Sequence, residues 1–116
     1  LRILGRTLES LELFAGGRLA FMTLTAKDFA DCNASAQHTE NVINYGMMPP
    51  GVKAAALFRA DGELLGVTFR SKGGIDVSGL AHELGGGGHK HAAGCKLDMG
   101  LEEARKLVRA GLLKLL

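Results

Sequence analysis

Four consecutive glycines, Gly85-Gly86-Gly87-Gly88, run straight into His89-Lys90-His91-Ala92-Ala93-Gly94. No other stretch constrains the fold of this chain as strongly. Glycine has no Cβ and enters positive-φ conformations that other residues avoid. Of 116 residues 17 are glycine, where average usage of about 7% would give roughly 8. Eight of the 17 fall between Gly73 and Gly94. Uniform flexibility does not concentrate glycines in this way; a local backbone requirement does.

Two readings of the run stand side by side. Consecutive glycines turn backbone N–H groups inward as an anion-binding nest, with His89 and Lys90 as side-chain donors; alternatively the run is a flexible turn between a helix and a strand. On the nest reading, a side chain at Gly87 both strains the backbone and blocks the anion. Two common phosphate motifs do not fit. A P-loop puts Gly-Lys-Ser/Thr after four residues, but Lys90 stands where its second glycine belongs. The dinucleotide fingerprint runs strand, glycines, helix, and here the predicted order is helix, glycines, strand. His82, His89, His91 and Cys95 are possible metal ligands, but no Cys-x-x-Cys or His-x₃-His pair is present.

The rest of the chain reads as a mixed α/β domain. Leu1, Leu4, Leu8 and Leu11 predict an amphipathic helix that Gly16-Gly17 ends. Residues 18–25 predict a strand and 26–33 a short helix. Thr39 is a candidate cap for a helix through Tyr45, with Val42 and Ile43 inward. Residues 52–59 and 63–70 predict a hairpin around Asp61-Gly62, in which the turn uses positive φ angles. Asp76 or Ser78 caps a helix through Leu84, residues 92–97 form a strand, and Leu101, Ala104, Val108 and Leu112 stripe a closing helix. This order indicates one compact domain, a mixed sheet with a central hairpin packed by helices. Trp is absent, with five Phe and one Tyr, so the core is aliphatic.

Charge and cysteines bound the partners. A net charge of +2 permits a polyanion without demanding one. Cys32 and Cys95 make no disulfide framework, which favours a reducing, cytoplasmic setting. No apolar run approaches the roughly 18 residues of a membrane span, so no membrane partner is expected.

Arg70-Ser71-Lys72-Gly73-Gly74 is a second basic, glycine-containing loop, leaving a strand end. A guanidinium there lies flat on a base or grips a phosphate with two donors. Together, Arg70-Ser71-Lys72-Gly73-Gly74-Ile75-Asp76-Val77-Ser78 and Leu84-Gly85-Gly86-Gly87-Gly88-His89-Lys90-His91-Ala92-Ala93-Gly94-Cys95 resemble the DHH-associated C-terminal domain of DHH-family phosphoesterases. The branch most resembled is the bacterial bifunctional oligoribonuclease/PAP phosphatases, or nanoRNases.

The resemblance implies that residues 1–116 form a C-terminal substrate-binding domain, with 1–16 a helical lead-in from an N-terminal DHH catalytic domain in cis. That other domain would hold Mn²⁺ and hydrolyse short RNA, pAp or cyclic dinucleotides, in a full-length protein compatible with a homodimer. Carried over by position, Arg70 contacts a base or nearby phosphate; Gly86, Gly87, Gly88 and His89 hold the phosphate; Ser71 and Lys90 assist. No catalytic residue is assigned in this chain, because the Asp-His-His motif is missing from it. His91 departs from the Asn expected in many relatives. The alternatives are a tRNA-binding or editing appendage related to the C-terminal domain of alanyl-tRNA synthetase, or a ligand-free structural or dimerisation module.

Overall fold

The computed structural model describes residues 2–39 and 41–116. Among the described residues six strands form one sheet in the order β1-β2-β3-β4-β6-β5. They are β1 (Glu12–Phe14), β2 (Leu19–Thr25), β3 (Ala54–Ala60), β4 (Leu65–Ser71), β5 (Gly87–His89) and β6 (Ala92–Leu97). Only β2 and β3 pair in parallel; every other neighbouring pair is antiparallel. The β3–β4 hairpin is central, as expected, and the mixed α/β class holds.

Helices cover the sheet unevenly. On one face, α3 (Ser78–Glu83) and α4 (Leu101–Leu113) pack over the whole width. Phe21, Phe58, Val67, Phe69, Ala93, Cys95, Val108 and Leu112 form that core. On the other face, α1 (Arg2–Glu9), α2 (Ala26–Asp31) and a 3-10 segment (Val42–Met47) close over β2 and β3. Ile3, Ala20, Met22, Leu24, Ile43, Ala55 and Leu57 form this second core. The strands β2 and β3 are apolar on both sides because both sides are covered.

Three local expectations need correction. Helix α1 ends at Glu9, well before Gly16-Gly17, and its inward face carries Ile3 and Thr7 rather than the leucine stripe; Leu8 is exposed. The predicted stripe member Leu1 lies outside the described residues. Gly16 and Gly17, at φ 67° and 87°, instead turn the chain from β1 into β2. A strand as short as β1 shows no alternation by which to be recognised. Thr39 caps no α-helix: two 3-10 segments (Ala36–Thr39 and Val42–Met47) occupy this region, although Val42 and Ile43 are buried as expected. Finally, residues 61–64 join β3 to β4 as a longer loop, and Gly62 is not among the positive-φ residues.

The core is not purely aliphatic, since Phe21, Phe58 and Phe69 are its largest fully buried side chains. Ala104, Val108 and Leu112 are the buried stripe of α4. Neither Asp76 nor Ser78 is the cap of α3: the N-cap is Val77, without a side-chain cap bond, and Asp76 Oδ1 instead accepts from the N–H and the hydroxyl of Ser78 at 2.9 and 2.6 Å at the helix start. No helix among the described residues is long and apolar enough to cross a membrane.

Candidate functional site

Beyond β4, whose second face the 3-10 segment still reaches in part, β6 and β5 are left with one bare face. Residues directly opposite in antiparallel strands share a face, so register alone assembles it. One row is Arg70, Ala92 and His89; the next is Thr68, Gly94 and Gly87; the third is Arg59, Gly66 and Lys96. The opposite faces of the same strands carry buried Val67, Phe69, Ala93, Cys95 and Leu97. The bare side is thus a floor of glycine and alanine with cations at both ends.

The glycine run is not one feature. Gly85, at φ 89°, is the residue that ends α3, and the Gly86 N–H closes the cap on the Ala81 carbonyl at 2.8 Å. A Cβ on Gly86 would collide with the Gly94 carbonyl oxygen and come within 2.7 Å of the Cys95 Cα. At Gly88, φ is 143° and a Cβ would lie 2.5 Å from the Ala93 Cα. Helix termination, close strand packing and backbone conformation therefore account for three glycines. Gly87 differs: its φ is ordinary and nothing stands within 4 Å of where its Cβ would be. The expected backbone strain from a side chain at Gly87 is therefore absent; the space above it is simply open.

The two basic loops of the sequence meet at one edge of this face. The Ser71 N–H donates to the His91 carbonyl at 3.0 Å, and the Val77 N–H to the Lys90 carbonyl at 2.8 Å. The Ser71 hydroxyl, nearly buried, donates to the carbonyls of Ile75 (2.7 Å) and Lys90 (3.2 Å). It ties the loops together rather than facing outward. His91 Nε2 lies 2.8 Å from the Gly73 carbonyl oxygen; a carbonyl only accepts, so Nε2 carries the proton. This gives His91 a structural part. Arg70 Nη1 donates to the Phe69 carbonyl at 2.9 Å, which anchors its half-buried guanidinium beside the His89 row. His89 and Lys90 are exposed. The Ser78 hydroxyl and N–H hold the Asp76 carboxyl below the usual carboxylate range, with Lys90 and His91 nearby.

Arg59 and Lys96 belong to the same face, although the sequence pattern marks them only as strand residues. The signal that finds them is register, because both pair with Gly66. Arg59 lies across that glycine: a Cβ there would sit 2.5 Å from Nη2. Its Nη1 donates to Thr68 Oγ1 at 2.6 Å. Burial pulls its pKa down, partly offset by the charge of Asp61.

Among the described residues, no group of three or more His, Cys, Asp or Glu side chains is placed to hold a metal ion. His82 sits on α3, His91 is bonded to Gly73, and Cys95 is buried, its thiol pushed up by burial.

The DHHA1 domain profile matches residues 16–112, nearly the whole fold just described. The chain belongs to the DHHA1 domain family. It is 30% identical over 108 residues to the bifunctional oligoribonuclease and PAP phosphatase NrnA of Thermus thermophilus, covering 92% of this chain and 32% of that protein. Among solved structures, an exopolyphosphatase-related protein from Bacteroides fragilis superposes with a TM-score of 0.90 at 26% identity. That match covers 97% of this chain and 34% of the other. The pGpG-specific phosphodiesterase PggH of Vibrio cholerae shares the fold, with a TM-score of 0.64 at 14% identity, over 97% of this chain and 37% of that one. This DHHA1 chain thus spans about a third of the length of the relatives it matches.

Proposed function

We propose that this DHHA1 domain is the substrate-holding half of a phosphoesterase acting on short oligoribonucleotides or nucleotides such as pAp, or on cyclic dinucleotides. The phosphate sits over Gly87 and Gly94, beside the row that carries Arg70 and His89. The observation that carries this reading is Gly87: packing and backbone explain its three neighbours, while its own missing side chain leaves open floor next to the row of Arg70 and His89. A backbone without a Cβ lets a phosphate approach closely. Arg70 supplies a planar, two-donor group, His89 an exposed ring donor, and Lys90 further positive charge. Gly86 and Gly88 bring the strand close to β6, and Ser71 locks the two loops in place. In this proposal hydrolysis belongs to an N-terminal DHH domain of the same protein, with its Mn²⁺, and this chain alone binds without cutting. The relatives named above are not tRNA synthetases, so the tRNA-appendage alternative is not carried further.

The test is a titration of this chain with pAp and a 5′-phosphorylated dinucleotide, followed by backbone amide shifts. Binding is expected in the range of about 10⁻⁴–10⁻⁶ M, weakening with salt, with the largest shifts at Gly87, His89 and Arg70. His89→Ala should cost about 1.5–3 kcal/mol of binding, as expected for a bond to a charged group, without changing the melting temperature. Shifts unaffected by millimolar pAp overturn the proposal.

A further inference from the structure

The edge of the sheet farthest from the glycine strand is β1. Backbone parity fixes which of its groups point outward. The Arg18 carbonyl accepts from the N–H groups of Lys53 and Ala54 at 2.7 and 3.2 Å, so even-numbered residues along β2 address β3. The Thr23 N–H donates to the Ser10 hydroxyl at 2.8 Å, so odd-numbered residues of β2 address β1. Leu19 and Phe21 therefore exchange hydrogen bonds with their register partners Phe14 and Glu12. Leu13, between those two, turns its N–H and carbonyl away from the sheet, and its side chain is exposed. Such an edge is a template for another strand unless charge or proline blocks it. Glu12-Leu13-Phe14 has neither lysine nor proline, and Arg105 Nη2 draws the Glu12 carboxylate over the α4 face at 2.7 Å.

The side chains beside this edge complement one another. Glu12 and Phe14, two residues apart, share the α4 face. The guanidinium of exposed Arg109 lies over the Phe14 ring, 4.2 Å from its centroid. Among the described residues no carboxylate is within ion-pairing distance of Arg109, whereas Arg105 pairs with Glu12. Glu12 uses Oε1 for that pair and its side chain is 53% exposed, so Oε2 is still able to accept. Each chain thus carries an unpaired cation and a half-used carboxylate on one side of an open strand.

We propose that β1 is an interface between two copies of this chain, joined antiparallel about a two-fold axis through Leu13. The two Leu13 residues exchange their N–H···O=C bonds, and Glu12 of each copy falls opposite Phe14 of the other. That is a non-hydrogen-bonded position, where side chains approach most closely and Cα atoms stand about 4.5 Å apart. The Glu12 carboxylate then meets the Arg109 that covers the facing Phe14, and symmetry repeats the ion pair in the other direction. On the opposite face the two Leu13 side chains meet. Helix α4 comes closest to β3, two strands in from the edge, which leaves room for the second copy. Because β1 and β5 end opposite sides of the sheet, the interface leaves the Gly87 row open, and it does not depend on the function proposed above.

The interface is small, which makes association weak and concentration-dependent. Sedimentation equilibrium of this chain, from micromolar to millimolar, should show a monomer–dimer equilibrium that weakens with salt. Arg109→Glu and Glu12→Arg should each weaken self-association roughly tenfold or more, the loss of two exposed ion pairs at about three- to fivefold apiece. Mixed one to one, the two variants should associate with each other more tightly than either does with itself, because the mixture restores both ion pairs. Leu13→Pro removes an N–H that the monomer leaves unbonded, and should abolish the dimer. Melting temperatures identify a variant that does not fold; if Leu13→Pro is one, the mixed charge variants decide alone. A wild-type chain that stays monomeric up to millimolar concentration overturns the proposal and leaves the edge to a strand of another protein. A dimer that survives in folded Leu13→Pro, or charge variants whose mixture associates no better than either alone, overturns it as well.

Discussion

The two halves of the sheet obey different rules. On β2 and β3, side chains are apolar on both faces, and Ala20, Met22, Ala55 and Leu57 vanish under α1, α2 and the 3-10 segment. On β4 and β6, apolar residues alternate with Thr68, Arg70, Gly94 and Lys96, and the second face is half-covered at β4 and open at β6. The strands are neighbours in one hydrogen-bonded sheet, so pairing energetics cannot cause the difference; the cause is where helical cover ends. A half-covered sheet offers a rigid, small-residue floor whose backbone is already paired, and ligands seat on such a floor without reorganising it. The covered half supplies stability, and the bare half is where the proposed ligand would bind.

Neighbouring residues of β4 test that division with the largest expected effect. Phe69 is fully buried toward α3 and α4, and Thr68 faces the open side. Phe69→Ala should cost about 3–5 kcal/mol and lower the melting temperature by roughly 12 °C or more. Thr68→Ala loses only the bond from Arg59, and should cost about 1 kcal/mol. Comparable losses in thermal melts would mean that the open face is structural after all.

The glycines sharpen the comparison at smaller scale. Gly86→Ala forces a methyl group into Gly94 and Cys95 and should cost about 1–3 kcal/mol, as overpacking does. Gly87→Ala has open space and an ordinary φ, so its stability should stay within about 0.5 kcal/mol of wild type while affinity for pAp is lost. Denaturant melts and nucleotide titrations on the same two proteins separate the roles. Stability lost at Gly87 with binding retained would undo the assignment.

The smallest effect concerns pH. The folded Asp76 carboxyl sits below its unfolded value, which is near 3.9, because Ser78 donates two hydrogen bonds to it. Its contribution is therefore complete above that unfolded value and is lost as pH falls through the folded one. Melting temperatures of wild type and Asp76→Asn should differ at neutral pH and converge in acid. A gap that persists unchanged at low pH would show that the charge plays no part.

How far the chain could be read depended on element length and on register. Long periodic segments were legible: β2, the central hairpin strands and the Ala104-Val108-Leu112 stripe lie where patterning puts them. The three-residue strands β1 and β5 were not, because Glu-Leu-Phe and Gly-Gly-His are too short to alternate and glycine carries no strand preference. The direction in which α1 faces is not legible in the sequence for a related reason. Leucines spaced at three and four mark a stripe, but only the neighbouring strand decides that Ile3 and Thr7 point inward.

The candidate site divides in the same way. Local composition marked Arg70, the glycine run and His89, since glycine clustering and basic residues can be seen in one dimension. What tertiary structure decided was the role of each. It separated Gly87 from glycines needed for a helix cap or close packing, turned Ser71 inward, and gave His91 the Gly73 carbonyl. It also brought Arg59 and Lys96, 37 positions apart in the chain, to either side of Gly66. The physical reason is that a strand's chemistry depends on which residues stand opposite it, and pairing across a sheet is set by the whole fold rather than by neighbours in sequence.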